Sequence, residues 1–226
     1  MAVFLLLPIL LSGCTRTETH EYELYVFGTL VNITLWDVPS EKGDIAIARL
    51  NEEFQRMHHD WHAWKPGPLV DINRAISRGE SVEVNPSLVA VIEQAKILER
   101  GSEGLFNPTI GALLSLWGFQ SDEPRSGPPP ADEAVADWVQ QSPSMDDVHL
   151  TGHTLTSDNP AVQFDFGAFA KGYAVDIAIR HLRDMGIENA IVNAGGDLRA
   201  IGSKGGKPWR VGGRHPQGGG VMAAIE

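Results

Sequence analysis

The stretch YELYVFGTLVNITLW, residues 22–36, constrains the fold more than any other segment. Its side chains alternate in polarity and many are β-branched or aromatic, which predicts strand structure with Gly28 at a bulge or close backbone approach. Apolar residues at helical spacing follow from Asp44 to about His58. The domain therefore begins by combining strand and helix segments.

The rest of the chain continues this mixture. Asn85 and Pro86 predict the start of a helix that ends at Gly101, because Asn is a favoured N-cap and Pro a favoured first helical residue. The segments 58–68 and 103–119 predict loops, the second running into a short helix. Further predictions are a helix over 131–141, a hairpin over 148–157, a strand over 161–166, a helix over 169–185, and strands over 190–193, 198–202, 209–213 and 221–226.

The charge balance bears on the partners of the protein. The formal net charge is −11, from 29 acidic and 18 basic residues. This charge opposes a nonspecific electrostatic grip on nucleic acid or on an anionic membrane surface. We therefore predict no nucleic-acid partner, and any phosphate group must be held by local contacts.

The first residues, MAVFLLLPILLSGC, are typical of a lipoprotein signal peptide. The apolar run is too short to span a bilayer as a helix, and its end resembles a lipobox. Cys14 is the only cysteine, which fits an anchoring role and excludes an internal disulfide. We expect a signal peptide over 1–13, a polar tether over 14–24, and a lipid anchor on Cys14 at the periplasmic side of a bacterial membrane. The alternative is a buried or spurious N-terminal segment.

The segment DFGAFAKGYAVD, residues 165–176, is the first candidate site. A helix start presents unpaired N–H groups and a partial positive charge, and Gly167 lets a ligand approach the backbone. Lys171 adds a full charge, and Asp165 is able to accept from a ligand hydroxyl or amine. The segment therefore suits an anion, although an ordinary strand-to-helix turn explains it equally.

Three other segments are weaker candidates. Residues 193–197, NAGGD, permit a close ligand approach or a plain hairpin turn. Aromatic residues over 106–119 form either a ligand platform or core. His58 and His62 lie one helical turn apart, but no third metal ligand follows at motif spacing. The motifs GxSxG, GxxxxGK[ST], HExxH and CxxC are absent from the sequence.

In chain order, six blocks resemble the ApbE family of FAD:protein FMN transferases: FGT at 27–29, the aromatic loop before Asn73, GLFNPTIGALLSLWGF, DFGAFAKGYAVD, NAGGDLRAIG and PWRVGGRHP. The resemblance implies an α+β fold, with one ApbE-like (T-fold-like) domain over 25–226 of mostly antiparallel strands and packed helices. It also implies Mg²⁺-dependent transfer of FMN from FAD to a threonine of a target flavoprotein, with release of AMP. The implied targets are subunits of NADH:quinone oxidoreductase-type or related electron-transport complexes.

Two other functions share these motifs. Some family members hydrolyse FAD to FMN and AMP, and a lipid-anchored flavin-binding protein without catalysis would use the same site. In all three cases the resemblance assigns Phe27, Asp165 and Lys171 to FAD binding. We expect Asp165 and Lys171 to act in catalysis as well. Trp64, or the nearby Trp61, takes the place of the aromatic residue that packs on the flavin.

The resemblance further assigns Leu105, Phe106 and Asn107 to the FAD site, where the family frequently has Asp at the Asn107 position. The backbone carbonyl of Ala168 corresponds to a Mg²⁺ ligand. The family domain continues with a His-x-x-Asp-Pro segment and with an Asp and a Thr that complete the Mg²⁺ shell, which we do not find here. We therefore expect a C-terminally truncated domain whose own activity is weak or absent.

Overall fold

A computed structural model describes residues 18–123 and 126–226 of the chain. Its helices and strands follow one another in a mixed order that matches the α+β expectation. The elements are β1 (Thr19–Val26), β2 (Thr29–Trp36), α1 (Ser40–Asp60), α2 (Pro68–Ser77), β3 (Val82–Glu83), α3 (Pro86–Gly101), α4 (Gly111–Leu116), α5 (Asp132–Gln141), β4 (Val148–Thr151), β5 (Thr154–Ser157), α6 (Ala170–Asp184), β6 (Ala190–Ala194), β7 (Asp197–Ile201), β8 (Val211–Arg214) and β9 (Val221–Ile225).

An antiparallel sheet with the strand order β1-β2-β6-β7 organises the domain. Alternate side chains of its central strands point to one face, as the period of a strand requires. Helices α1 and α6 cover this face and bury their own apolar stripes against it. Side chains that are fully buried in this core include Val31, Ile33, Leu35, Ala190, Val192, Phe54, Ala174, Ala178 and Leu182.

Tight turns connect the hairpins of this sheet. Between β1 and β2, Phe27 and Gly28 have φ angles of 56° and 70°, the left-handed conformation of a type I′ turn. Gly28 therefore closes a hairpin instead of forming a bulge.

Strand β1 begins at Thr19 and pairs with β2 along its whole length, so the expected tether over 14–24 overlaps the sheet. The strand extends because Tyr22 and Leu24 alternate onto the core face.

A second layer packs beside the sheet. It contains α2, α3, the short helices α4 and α5, and a small antiparallel sheet with the order β3-β5-β4. The Asn85 side chain accepts the N–H of Leu88 at 2.9 Å, so α3 begins with the predicted N-cap. Helix α2 was not among the predicted elements, although Pro68 at its first position after Gly67 is a start signal.

The strand predicted over 161–166 is wrong. Only Gln163 forms a bridge, with Ile110. The Asn73 side chain pairs with the next residue instead: it donates to Phe164 O at 3.0 Å and accepts from Phe164 N at 2.8 Å. The N–H of Asp165 donates to Pro108 O at 2.9 Å. One buried amide and a neighbouring loop thus satisfy the backbone that a sheet partner would otherwise satisfy.

The membrane expectation concerns a region outside the described residues. Cys14 and the predicted signal peptide lie there, so their prediction stays as it is. Among the helices over 18–123 and 126–226, none combines the length and apolar character that crossing a bilayer requires.

Candidate flavin site at the start of helix α6

A cleft opens where the end of α1, the β1–β2 turn and the start of α6 meet. Its walls come from segments far apart in sequence. Aromatic rings line it together with one acidic and one basic side chain. The residues that line it are Phe27, His58, Trp61, His62, Ala63, Trp64, Asp165, Gly167, Ala170 and Lys171.

The loop before α6 is held by the Asp165 carboxylate. Its Oδ1 accepts the N–H of Gly167 at 2.9 Å, and its Oδ2 accepts from the Gln120 side chain at 2.9 Å. Both carboxylate oxygens therefore fix the entrance to the helix, which begins at Ala170. Gln120 was not among the predicted site residues, because its position gives no signal until the segment after α4 is folded beside Asp165.

Lys171 stands in the first turn of α6, where the helix dipole is positive. Its Nζ lies 4.0 Å from Asp197 Oδ2 at the start of β7, and the two side chains are 35% and 48% exposed. The candidate segments 165–176 and 193–197 thus meet in space. In the second segment, Gly195 and Gly196 form the β6–β7 turn, and Asn193 Oδ1 accepts the N–H of Gly196 at 2.9 Å.

A chain of aromatic rings runs from the β1–β2 turn to helix α6. Phe27 packs on Trp61 with 6.5 Å between ring centroids, and Trp61 packs on Tyr173 at 6.0 Å. Trp61 is 7% exposed and donates its indole N–H to Ser87 Oγ at 3.0 Å. Trp64 is 40% exposed. Both tryptophans between which the sequence left the choice open line the cleft, and Trp64 is the exposed one.

Two histidines line the same cleft. The rings of His58 and His62 are 5.4 Å apart, and His62 packs edge-on against Trp64 at 4.4 Å. Burial lowers the pKa of each imidazole, and the nearby Lys65 lowers both further. The neutral forms are therefore favoured, and the pair adds polar but uncharged surface to the cleft.

The predicted residues 105–107 occupy the loop after α3. Leu105 is 94% exposed, whereas Phe106 packs against Phe169 with ring centroids 5.4 Å apart. Asn107 donates to Pro143 O at 2.8 Å, and its Oδ1 accepts both N–H and O–H of Thr109. These three bonds use the Asn107 amide to hold the loop. The donation to Pro143 also requires an amide, since an ionised Asp has no N–H.

The residues around Ala168 do not fit a protein-held Mg²⁺ ion. Ala168 is exposed, and the carboxylate of Asp165, three residues earlier, is already hydrogen-bonded through both oxygens. Mg²⁺ sites in proteins normally use carboxylate or phosphate oxygens. In the described part of the chain, no group of three or more His, Cys, Asp or Glu side chains could hold a metal ion.

Known proteins match this chain over most of its length. The model of the ApbE family matches residues 27–226. An FAD:protein FMN transferase of Rhodobacter capsulatus is 43% identical over 201 residues, which are 89% of this chain and 38% of that protein. An FAD:protein FMN transferase of Vibrio cholerae is 31% identical over 209 residues, 90% of this chain and 61% of that protein.

Solved structures agree with these sequence matches. The flavin transferase ApbE from Vibrio cholerae matches with a TM-score of 0.76 at 26% identity. The match covers 89% of this chain and 65% of the Vibrio cholerae chain. The ApbE protein from Thermotoga maritima has a TM-score of 0.79 at 29% identity, with coverages of 92% and 67%. The α+β fold expectation is confirmed. The chain spans only 38% and 61% of the two sequence relatives, and it belongs to the ApbE family.

Proposed function

We propose that this chain forms the flavin-binding part of an FAD:protein FMN transferase, which moves FMN from FAD to a threonine of a target flavoprotein and releases AMP. Membership in the ApbE family supports the reaction class, and two relatives carry that name. The observation that carries the proposal is the cleft itself. An exposed indole stands there with the first turn of α6 and its lysine.

The two halves of the cleft suit the two halves of FAD. The exposed Trp64 ring offers a face on which an isoalloxazine ring stacks. Lys171 and the positive end of the α6 helix dipole, in the same cleft, attract a pyrophosphate. Gly167 leaves the backbone open to close approach of the ligand. The proposal therefore puts the isoalloxazine ring beside Trp64 and the pyrophosphate at the start of α6.

Asp165 and Lys171 have distinct roles in this proposal. Asp165 holds the loop before α6 through Gly167 and Gln120, which keeps the helix N–H groups directed at the phosphates. Lys171 stabilises negative charge on the phosphates, more strongly as charge develops during cleavage. The nucleophile is the threonine hydroxyl of the target, so the cleft needs no nucleophile of its own. Mg²⁺ belongs in the assay because the family resemblance implies it.

Binding of FAD to this chain tests the site. We expect Lys171→Ala to lower the affinity about tenfold or more, because a charge-assisted contact with phosphate is lost. Trp64→Ala should lower it as well, with recovery in Trp64→Phe, which restores a stacking ring. Lys207→Ala removes a lysine that does not line the cleft and is the matched control. Unchanged affinity in both Lys171→Ala and Trp64→Ala would place the flavin elsewhere.

Transfer is tested with the full product of the gene, whether or not it extends past Glu226. It is incubated with FAD, Mg²⁺ and a target domain that carries an acceptor threonine, such as a subunit of an NADH:quinone oxidoreductase-type complex. Covalent FMN on the target supports the transferase. Free FMN and AMP without labelled target would indicate a pyrophosphatase, and intact bound FAD a binding protein without catalysis.

The same protein is proposed to be anchored by lipid on Cys14 at the periplasmic side of the membrane. The lipobox-like sequence before Cys14 supports this. Metabolic labelling with a fatty acid should mark the wild-type protein and fail to mark Cys14→Ser. Labelling of the variant, or a wild-type protein that keeps residues 1–13, would contradict the anchor.

A further inference from the structure

The segment that carries Trp64 is held by one imidazole. His62 Nδ1 accepts the backbone N–H of Lys65 at 3.1 Å, and the N–H of Trp64 also donates to it at 3.4 Å. The same ring packs edge-on against the Trp64 indole with 4.4 Å between centroids. His62 therefore contacts both the backbone and the side chain of the segment that forms the open wall of the cleft.

These hydrogen bonds determine the tautomer of His62. A backbone N–H only donates, so Nδ1 has to present a lone pair and the proton of the neutral ring lies on Nε2. Protonation of Nδ1 would remove this acceptor and place the new N–H next to the backbone N–H groups of Trp64 and Lys65. The Nε2–H form also lacks a free lone pair for a metal, which argues against a His58–His62 metal site.

We propose that His62 is a positioning residue for Trp64, whose neutral imidazole holds the indole at the cleft and whose protonation releases it. The effect of this positioning on flavin affinity rests on the proposed function, because that effect requires Trp64 to contact the flavin. Protonation of His62 in acid then has two opposite effects on the affinity for an anionic ligand. A new positive charge attracts the phosphates, while loss of the Nδ1 acceptor frees the ring. We expect the loss of positioning to dominate and flavin affinity to fall in acid.

Several titratable groups face His62 from the elements around it. His58 comes from α1, Lys65 from the same segment, Asp122 from the loop after α4, and Asp165 from the loop before α6. Burial lowers the pKa of His62, as do His58 and Lys65, whereas the two carboxylates act in the opposite direction. Asp122 is partly neutralised by Lys65, whose Nζ lies 2.9 Å away.

A measurement without flavin tests the positioning role. The amide signals of Trp64 and Lys65 are followed by ¹⁵N NMR over pH together with the ring signals of His62. We expect the two amides to shift with the midpoint of the ring. In His62→Asn they should stay constant, because an Asn side-chain oxygen accepts the same N–H groups without titrating. His149→Asn, an exposed histidine on β4, is the matched control. Amide signals of Trp64 and Lys65 that do not change as the His62 ring titrates would overturn the proposal.

The affinity for FAD over pH tests the consequence. The wild type should lose about tenfold as His62 becomes protonated, and His62→Ala should be about tenfold weaker at every pH. His62→Asn should retain the affinity and show a flat profile. Identical profiles in the wild type and His62→Asn, or a wild-type affinity that rises in acid, would overturn the inference while leaving the flavin site intact. Linked amide and ring titrations without any FAD binding would instead overturn the proposed function.

Discussion

Lys171 Nζ lies 4.0 Å from Asp197 Oδ2, which brings the first turn of α6 next to the start of β7. Both side chains are substantially exposed, so solvent screens the pair and its contribution to stability is small. In the proposed flavin site, Asp197 would compete with the phosphates of the ligand for Lys171, which lines the cleft. On that proposal, the pair adjusts how strongly the start of α6 attracts phosphate.

Asp197→Asn should raise the affinity for FAD several-fold at low ionic strength, because the variant removes the competing negative charge. The gain should shrink in high salt, where exposed charges are screened. Titration of FAD fluorescence at two salt concentrations measures both effects. Asp176→Asn is the control, since Asp176 lies further along α6 and pairs with Arg199. A weaker Asp197→Asn variant would show that Asp197 binds the ligand directly.

Gly195 should be among the least replaceable residues of the sheet. It has a φ angle of 63°, and a Cβ there would lie 2.7 Å from Thr29 Oγ1. Gly195→Ala should therefore lower the free energy of unfolding by about 2–3 kcal/mol, from backbone strain plus the clash. Gly79→Ala provides the comparison, because Gly79 has a φ of 69° with nothing within 4 Å. We expect only about 1 kcal/mol there, measured by urea unfolding.

Part of the Gly195 effect should be recoverable. Thr29→Ala removes the hydroxyl and methyl groups that the new Cβ meets, so the double variant should be more stable than the sum of the single changes predicts. Strict additivity would mean that the clash relaxes without cost and that backbone strain alone accounts for the loss.

Asn73 should be essential for the conformation of residues 164–169, the segment that leads into α6. Its amide satisfies both backbone groups of Phe164, and it is only 9% exposed. Asn73→Asp keeps the acceptor but turns the donor into an oxygen that faces Phe164 O, which should cost about 2–3 kcal/mol of unfolding free energy. FAD affinity should fall too, because Asp165 follows Phe164 directly. Asn32→Asp, an exposed position on β2, is the control, and equal losses in both variants would contradict this role.

Glu99 should make stability depend on pH. It is 7% exposed and accepts the N–H of Met145, and burial raises the pKa of its carboxyl. In the unfolded chain this carboxyl ionises at its ordinary pKa, so the unfolded state releases the proton first as pH rises. The stability present in acid is therefore lost as the pH rises through the raised pKa of the folded state.

Glu99→Gln should consequently have a higher Tm than the wild type at pH 7, and the difference should narrow below about pH 4. The Gln oxygen still accepts from Met145, whereas Glu99→Ala leaves that N–H without a partner and should cost about 1–3 kcal/mol. Thermal unfolding over pH provides the measurement, with the exposed Glu93→Gln on the same helix as control. A Glu99→Gln variant that is less stable at every pH would show that the second carboxylate oxygen matters more than the buried charge.

Much of the secondary structure could be predicted because its signals are local. Asn85 and Pro86 mark the start of α3 by a cap and a fixed φ, and the apolar stripe of α6 ends where expected. The strand expected over 161–166 was wrong because a local pattern does not show which group pairs with the backbone. These residues have the alternation of a strand, but the backbone of Phe164 is paired with the side chain of Asn73.

The sequence by itself determined most of the strand and helix patterns, the β6–β7 turn and the family, because these depend on side-chain period, backbone preference and the order of short motifs. Only the tertiary structure decided that Lys171 meets Asp197, that Gln120 holds Asp165, and that Trp64 is exposed at the cleft while Trp61 is buried. These relationships join segments distant in the chain. They arise from the packing of the whole core, in which many weak contacts act together, and no single stretch of residues encodes them.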